Sequence, residues 1–123
     1  MSDINIKRRN LNGVEILDLE GKIALGETNR ELHNAIRETL EEGRKNILLN
    51  LEKVTMIDSS GLGEMVAAFA TAERNGGALK LCNLSDRFIE LMTMTKLYTV
   101  FEVFDKEDDA LKSFPMSNEA GAA

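Results

Sequence analysis

Asn46-Ile47-Leu48-Leu49-Asn50-Leu51, followed after six residues by Asp58-Ser59-Ser60-Gly61-Leu62-Gly63, sets the architecture of this chain. The first run is almost continuously apolar, as a strand covered on both faces requires. The second reads as the start of a helix. Asp58 or Ser59 caps it, because side-chain oxygens of these types accept from the unpaired N–H groups of a first turn. Leu62, Met65, Val66, Phe69 and Ala70 continue it as one apolar stripe, and Asn75-Gly76-Gly77 stops it. Ala78 to Cys82 supplies the next strand.

Working outward, Ile4, Ile6 and Arg8 alternate with polar neighbours, and Val14-Glu15-Ile16-Leu17-Asp18-Leu19 is a second strand. Asn12-Gly13 between them is a strong hairpin signal, since both residues tolerate positive φ. Gly21 to Gly26 leads into a helix that Thr28 caps, with Glu31 completing a capping box and Leu32, Ile36 and Leu40 at helical spacing. Downstream, Ser85 caps a helix through Thr95 that carries Phe88, Leu91 and Met92. Val100 to Phe104 is a last short strand, and Asp105 caps a terminal helix stopped near Pro115. The expected fold is α/β: a mixed sheet of about five strands with an N-terminal hairpin and about four helices packed against it. Residues 1–115 form this single domain and residues 116–123 a flexible C-terminal tail. The expected core is Ile16, Ile36, Leu48, Leu62, Val66, Phe69 and Leu81.

Bulk properties narrow the function. With 123 residues, 43% of them hydrophobic, the chain buries a core without disulfide or metal. A net charge of −6 argues against a general nucleic-acid or anionic-membrane binder. Lys7-Arg8-Arg9 is too short to reverse that and reads as the solvent side of an edge strand. Cys82, the single cysteine, is expected to be a buried strand thiol. Met1-Ser2-Asp3-Ile4 lacks a charged region followed by an apolar run, so a cytoplasmic protein is expected.

Enzyme chemistry fits poorly. There is no Gly-x-Ser-x-Gly elbow and no phosphate-cradling loop, and the one histidine, His33, falls on the polar part of the first helix. Without a base Ser59 is a poor nucleophile, and no Cys/His cluster has metal-ligand spacing. No catalytic residue, metal or cofactor is expected.

The stretch from Ile47 to Gly63 resembles the signature of STAS-domain anti-sigma factor antagonists, a resemblance extending to Leu19-Glu20-Gly21-Lys22-Ile23 and Asp108-Asp109-Ala110-Leu111. It implies a single STAS domain working as a binding switch. In that family the first serine after the aspartate is phosphorylated by an anti-sigma factor that is itself a serine kinase of the histidine-kinase ATPase fold. The matching residue here is Ser59, with Ser60 as rival acceptor and Asp58 and Gly61 as the phosphosite environment. Unphosphorylated antagonist captures the anti-sigma factor, phosphorylated antagonist releases it, and a metal-dependent serine phosphatase resets the cycle. Gly61, Leu62, Gly63 and Ala67 are the expected partner-binding residues, on a monomer or weak dimer. Many members carry aspartate where Ala24 and Asn50 stand. Related domains also serve as scaffold subunits of a large signalling assembly or as regulatory subunits of membrane transporters, which are the alternative readings. Met92, Met94, Leu97 and Tyr98 form either an apolar docking surface or ordinary packing.

Overall fold

The Asn12-Gly13 turn, with φ of 53° and 83°, folds β1 (Ile4–Leu11) back on β2 (Val14–Ile23) with Leu11 opposite Val14. Positive φ at both central residues gives a turn whose twist matches the strands. This hairpin is the antiparallel edge of a five-stranded sheet in the order β1-β2-β3-β4-β5, and the remaining pairings are parallel. A computed structural model describes residues 4–23 and 27–115, leaving aside the side chains of residues 27–29. The expected tail, residues 116–123, and Ala24 lie outside that description. The elements that follow the hairpin are α1 (Glu27–Glu41), β3 (Asn46–Ile57), α2 (Ser59–Arg74), β4 (Ala78–Cys82), α3 (Asp86–Thr95), β5 (Val103–Phe104) and α4 (Glu107–Lys112).

Strand alternation splits the core in two. Leu17, Leu19, Ile47, Leu49, Leu51, Leu79 and Leu81 turn to one face, where they meet Leu32 and Ile36 of α1, Leu62 and Met65 of α2, and Phe88 and Met92 of α3. Val14, Ile16, Leu48 and Cys82 turn to the other and are covered by Ala110 and Phe114. A strand whose two faces both meet apolar side chains has no reason to alternate, which is why Ile47-Leu48-Leu49 reads as a block. Lys80 fixes the end of α4. Its Nζ donates to the Ser113 carbonyl and hydroxyl oxygens, each at 3.0 Å, lies 3.1 Å from Glu102 and sits over the Phe114 ring. Burial of this cation is tolerated because its charge is paired.

Beyond the cover of α4, polar side chains replace apolar ones. Arg9 grips both Asp18 oxygens at 2.6 and 2.8 Å and reaches Glu107 at 2.7 Å, tying β1 to β2 and to the first turn of α4. Asn50 donates from Nδ2 to Asp18 Oδ1 at 2.8 Å, and its own Oδ1 accepts from Asn83 at 2.9 Å. Arg9 holds the Asp18 carboxyl below the usual carboxylate range, and Asn50 adds to that effect. Glu15, by contrast, is buried, facing Arg8, Arg44 and Asn10.

Several boundaries differ from expectation. Strand β2 continues through Gly21, where φ is 113°, to Ile23. Helix α1 begins at Glu27, one residue before the expected cap Thr28, whose side chain lies outside the description. Val100 and Phe101 leave β5, because their N–H groups donate to the Leu97 carbonyl in a 3₁₀ turn, Leu97–Thr99. Lys106, not Asp105, precedes α4, and no side chain caps that helix. On α2 the buried residues are Gly61, Leu62, Met65, Ala68 and Ala72. Val66 and Phe69 are half-buried against this core and Ala70 is exposed. The inward row is therefore the one through Met65, Ala68 and Ala72, turned from the expected stripe.

The Asp18 network predicts two outcomes. Asn50→Asp sets a carboxylate against Asp18 and removes the donor between them, which costs about 1–3 kcal/mol at neutral pH. That loss shrinks on acidification, as one of the two acids takes a proton. In the wild type the folded carboxyl of Asp18 titrates lower than the unfolded one. The stabilisation from Arg9 is therefore present above the ordinary carboxylate range and lost as pH falls through the depressed value. Urea melts of wild type, Asn50→Asp and Asp18→Asn across pH measure both effects.

Candidate functional site

The end of β3 feeds directly into α2, and three contacts fix that junction. Asp58, extended at φ −115°, caps the helix: its Oδ1 accepts from the Gly61 N–H at 2.9 Å. The Asp58 N–H donates to the Ile23 carbonyl at 3.2 Å, which joins the α2 start to the end of β2. Gly61 lies against that same carbonyl. A Cβ on Gly61 would run into the Ile23 oxygen and side chain, so the first turn of α2 seats on β2 only with glycine here.

This seating decides which residues face outward. Ser59 is exposed and Ser60 half-buried. The Ser59 hydroxyl stands at the positive end of a helix of 16 residues, where N–H groups of the first turn and the aligned peptide dipoles favour negative charge. Of the residues expected to bind a partner, Gly61 and Leu62 are buried and Gly63 and Ala67 are exposed. The exposed line along this side of the helix is Ser59, Gly63, Ala67 and Ala70. A Cβ added at Gly63 meets nothing within 4 Å, so the surface at this point is open.

Beside this line α1 and α2 are joined by a pair that sequence reasoning did not find. His33 Nδ1 lies 2.6 Å from Glu64 Oε2, with 51% of the His33 side chain exposed but only 20% of that of Glu64. A carboxylate only accepts, so Nδ1 carries the proton that joins them. His33 is exposed as expected, but it is held by a neighbour on another helix.

The remaining candidates separate. Asn50 projects from the α4 side of the sheet, like Leu48, whereas α2 packs on the opposite face with Leu49 and Leu51. Its replacement of aspartate therefore answers to Asp18 and not to the Ser59 surface. Met92 is buried, while Met94 and Tyr98 are 75% and 56% exposed, so the apolar group on α3 is part core and part surface. Cys82 is fully buried, and burial pushes its thiol up to about 12, which leaves it unreactive. Asn5, Lys7, Asp18, Glu20, Asn50 and Lys53 line a shallow cleft of about 370 Å³ over the polar half of the sheet. Among the described residues no cluster of three or more His, Cys, Asp or Glu side chains offers a metal site, and no helix is long and apolar enough to cross a membrane.

Two glycines two positions apart should behave oppositely. Gly61→Ala forces the first turn of α2 off the Ile23 carbonyl and costs about 1–3 kcal/mol, as overpacking does. Gly63→Leu projects into open space and, as the replacement of a glycine inside a helix, leaves stability unchanged or raises it by up to about 1 kcal/mol. Thermal denaturation followed by circular dichroism distinguishes them, and equal losses at both positions would contradict the seating described.

Residues 5–110 match the model of the STAS domain. The anti-sigma-B factor antagonist of Bacillus subtilis is 34% identical over 73 residues, 59% of this chain and 67% of that protein. The solved structure of a putative anti-sigma factor antagonist from Thermotoga maritima superposes with a TM-score of 0.80 at 21% identity, covering 89% of this chain and 93% of that one. The Bacillus cell fate determinant SpoIIAA, solved in its phosphorylated form, gives 0.68 at 18% identity, covering 88% and 97%. These structures share the fold. With the family model spanning the hairpin, every strand and the Asp58–Gly63 junction, this chain belongs to the STAS domain family, and the curated relative it matches there is an anti-sigma factor antagonist.

Proposed function

We propose that this protein is an anti-sigma factor antagonist whose binding is switched by phosphorylation of Ser59. It acts by binding and not by catalysis. Unphosphorylated, it captures an anti-sigma factor that is a serine kinase of the histidine-kinase ATPase fold. Transfer of phosphate to Ser59 releases that partner, and a metal-dependent serine phosphatase restores the binding form. Ser60 is the rival acceptor, and its half-buried position disfavours it. The observation that carries the reading is the exposed Ser59 hydroxyl at the start of a helix whose first turn is pinned by Asp58 and Gly61. The name of the Bacillus subtilis relative, and the phosphorylated state in which SpoIIAA was solved, support it.

The switch follows from charge. A phosphoserine adds about −1.5 to −2 at neutral pH. Within the protein that charge is tolerated, because it sits at the N-terminal end of α2. A partner closing over Ser59, Gly63 and Ala67 meets the dianion beside the Asp58 carboxylate and must strip its water. Such like-charge juxtaposition and desolvation cost several kcal/mol, so affinity should fall about a hundredfold or more.

The partner is isolated by retaining a kinase from the host extract on the tagged chain in ADP, then producing that kinase recombinantly. Incubation with ATP should modify Ser59, read by mass spectrometry, and calorimetry should show the loss of affinity with no change of fold. Ser59→Ala should bind constitutively, Ser59→Asp should bind with partly reduced affinity, and Gly63→Leu should fold but fail to bind. Modification at Ser60 alone, or equal affinity of the two forms, would defeat the reading.

A further inference from the structure

Glu64 lies on the α1 flank of the exposed line on α2, where it meets His33. At 3.6 residues per turn it stands roughly 60° round the helix from Ala67, and roughly 100° from Gly63 and 140° from Ser59. A glutamate free to choose its rotamer there reaches over Ala67, its neighbour three residues on. It does not, because His33 on α1 draws Oε2 to 2.6 Å of Nδ1 and folds the side chain down between the helices, leaving only 20% of it exposed. The small side chains of the line let another backbone come close only while no long side chain lies over them. A carboxylate in that space would also have to lose its water when a partner closed on it.

We infer that His33 is a positioning residue for partner docking, acting through Glu64: it parks the carboxylate against α1 and so keeps the α2 docking line clear. This rests on the proposed function, since the line is the surface over which the kinase closes. His33 meets Glu64 from α1 and acts on the line only through it. Its imidazole serves as a hydrogen-bond donor, so any side chain that reaches Glu64 with a donor should serve in its place, and removal of the carboxylate should make His33 dispensable.

The test is a double-mutant cycle read by calorimetry, using in ADP the recombinant kinase that phosphorylates the wild-type chain. His33→Ala should weaken binding about tenfold, which corresponds to one charged group released into the interface. Glu64→Ala should bind like the wild type. His33→Ala with Glu64→Ala should regain wild-type affinity, and His33→Gln, which keeps a donor, should retain it. A purely structural clasp gives the opposite pattern, in which the double variant is no better than His33→Ala. The inference is overturned if His33→Ala binds like the wild type or if the double variant stays weak. Failure of the kinase to bind or phosphorylate the wild-type chain overturns the function reading and this inference together. Binding by the wild type with a flat cycle overturns the inference alone.

Discussion

The Ile23 carbonyl is the point on which this structure turns. It accepts the Asp58 N–H and at the same time forms the wall against which Gly61 seats. One backbone oxygen thereby fixes the end of β2, the end of β3 and the first turn of α2 relative to one another. The Asp58 side chain closes the arrangement by capping Gly61. A helix whose first turn is held at both its backbone and its cap presents Ser59 in one orientation, which a loop does not do. The long parallel pairing of β2 with β3, from Glu15 opposite Ile47 to Ile23 opposite Ile57, carries that joint out from the centre of the sheet.

The same strands divide the molecule into a side that carries α2 with Ser59 and a side that holds the sheet together. Leu49 and Leu51 support α2 from below, and Leu48 and Asn50 between them point the other way. On that second side the short α4 covers Val14, Ile16, Leu48 and Cys82, with Ala78 and Phe104 at the margin. What lies beyond it is exposed to water, and there the sheet is tied by Arg9, Asp18, Asn50 and Asn83 in place of apolar packing. An asparagine at position 50 suits this place because it donates to one neighbour and accepts from another, which an aspartate beside Asp18 cannot do without a proton.

Local chemistry was legible in the sequence; distant contacts were not. Asn12-Gly13, Ser85 before α3 and Asp58 before α2 each act through neighbours within three residues, so their types declare their roles. The apolar block at Ile47–Leu49 likewise announces a strand buried on both faces. The errors fall where a tertiary contact competes with local preference. The α2 stripe was read one row off, because small Ala68 and Ala72 can be buried as readily as Val66 and Phe69, and which row faces inward depends on where α1 lies. Of the site, Ser59 and its setting were visible in the motif. The burial of Gly61 and Leu62 was not, since glycine gives the same signal whether it serves close packing or an open surface. His33 with Glu64, and Asp18 with Asn50, join residues 31 and 32 positions apart and leave no mark in sequence spacing.

The contrast between Gly61 and Gly63 bears on how such a switch can work. Gly61 is small because β2 lies beneath it; Gly63 is small although none of the described residues comes within 4 Å of a Cβ placed there. Glycine inside a helix is unfavourable by roughly 0.5–1 kcal/mol relative to alanine. At Gly61 the seating on Ile23 offsets that loss within the fold. At Gly63 no contact among the described residues does, and in the function we propose the compensation lies in what the chain binds. In that function a surface kept bare in this way holds a partner by close approach of backbones, and its affinity depends on the absence of bulk and charge. That makes it sensitive to a single added dianion at Ser59, one turn away, and equally to a carboxylate allowed to stray from His33. In the function we propose, control therefore needs no rearrangement of the sheet or helices: charge placed on a bare and rigid surface is sufficient.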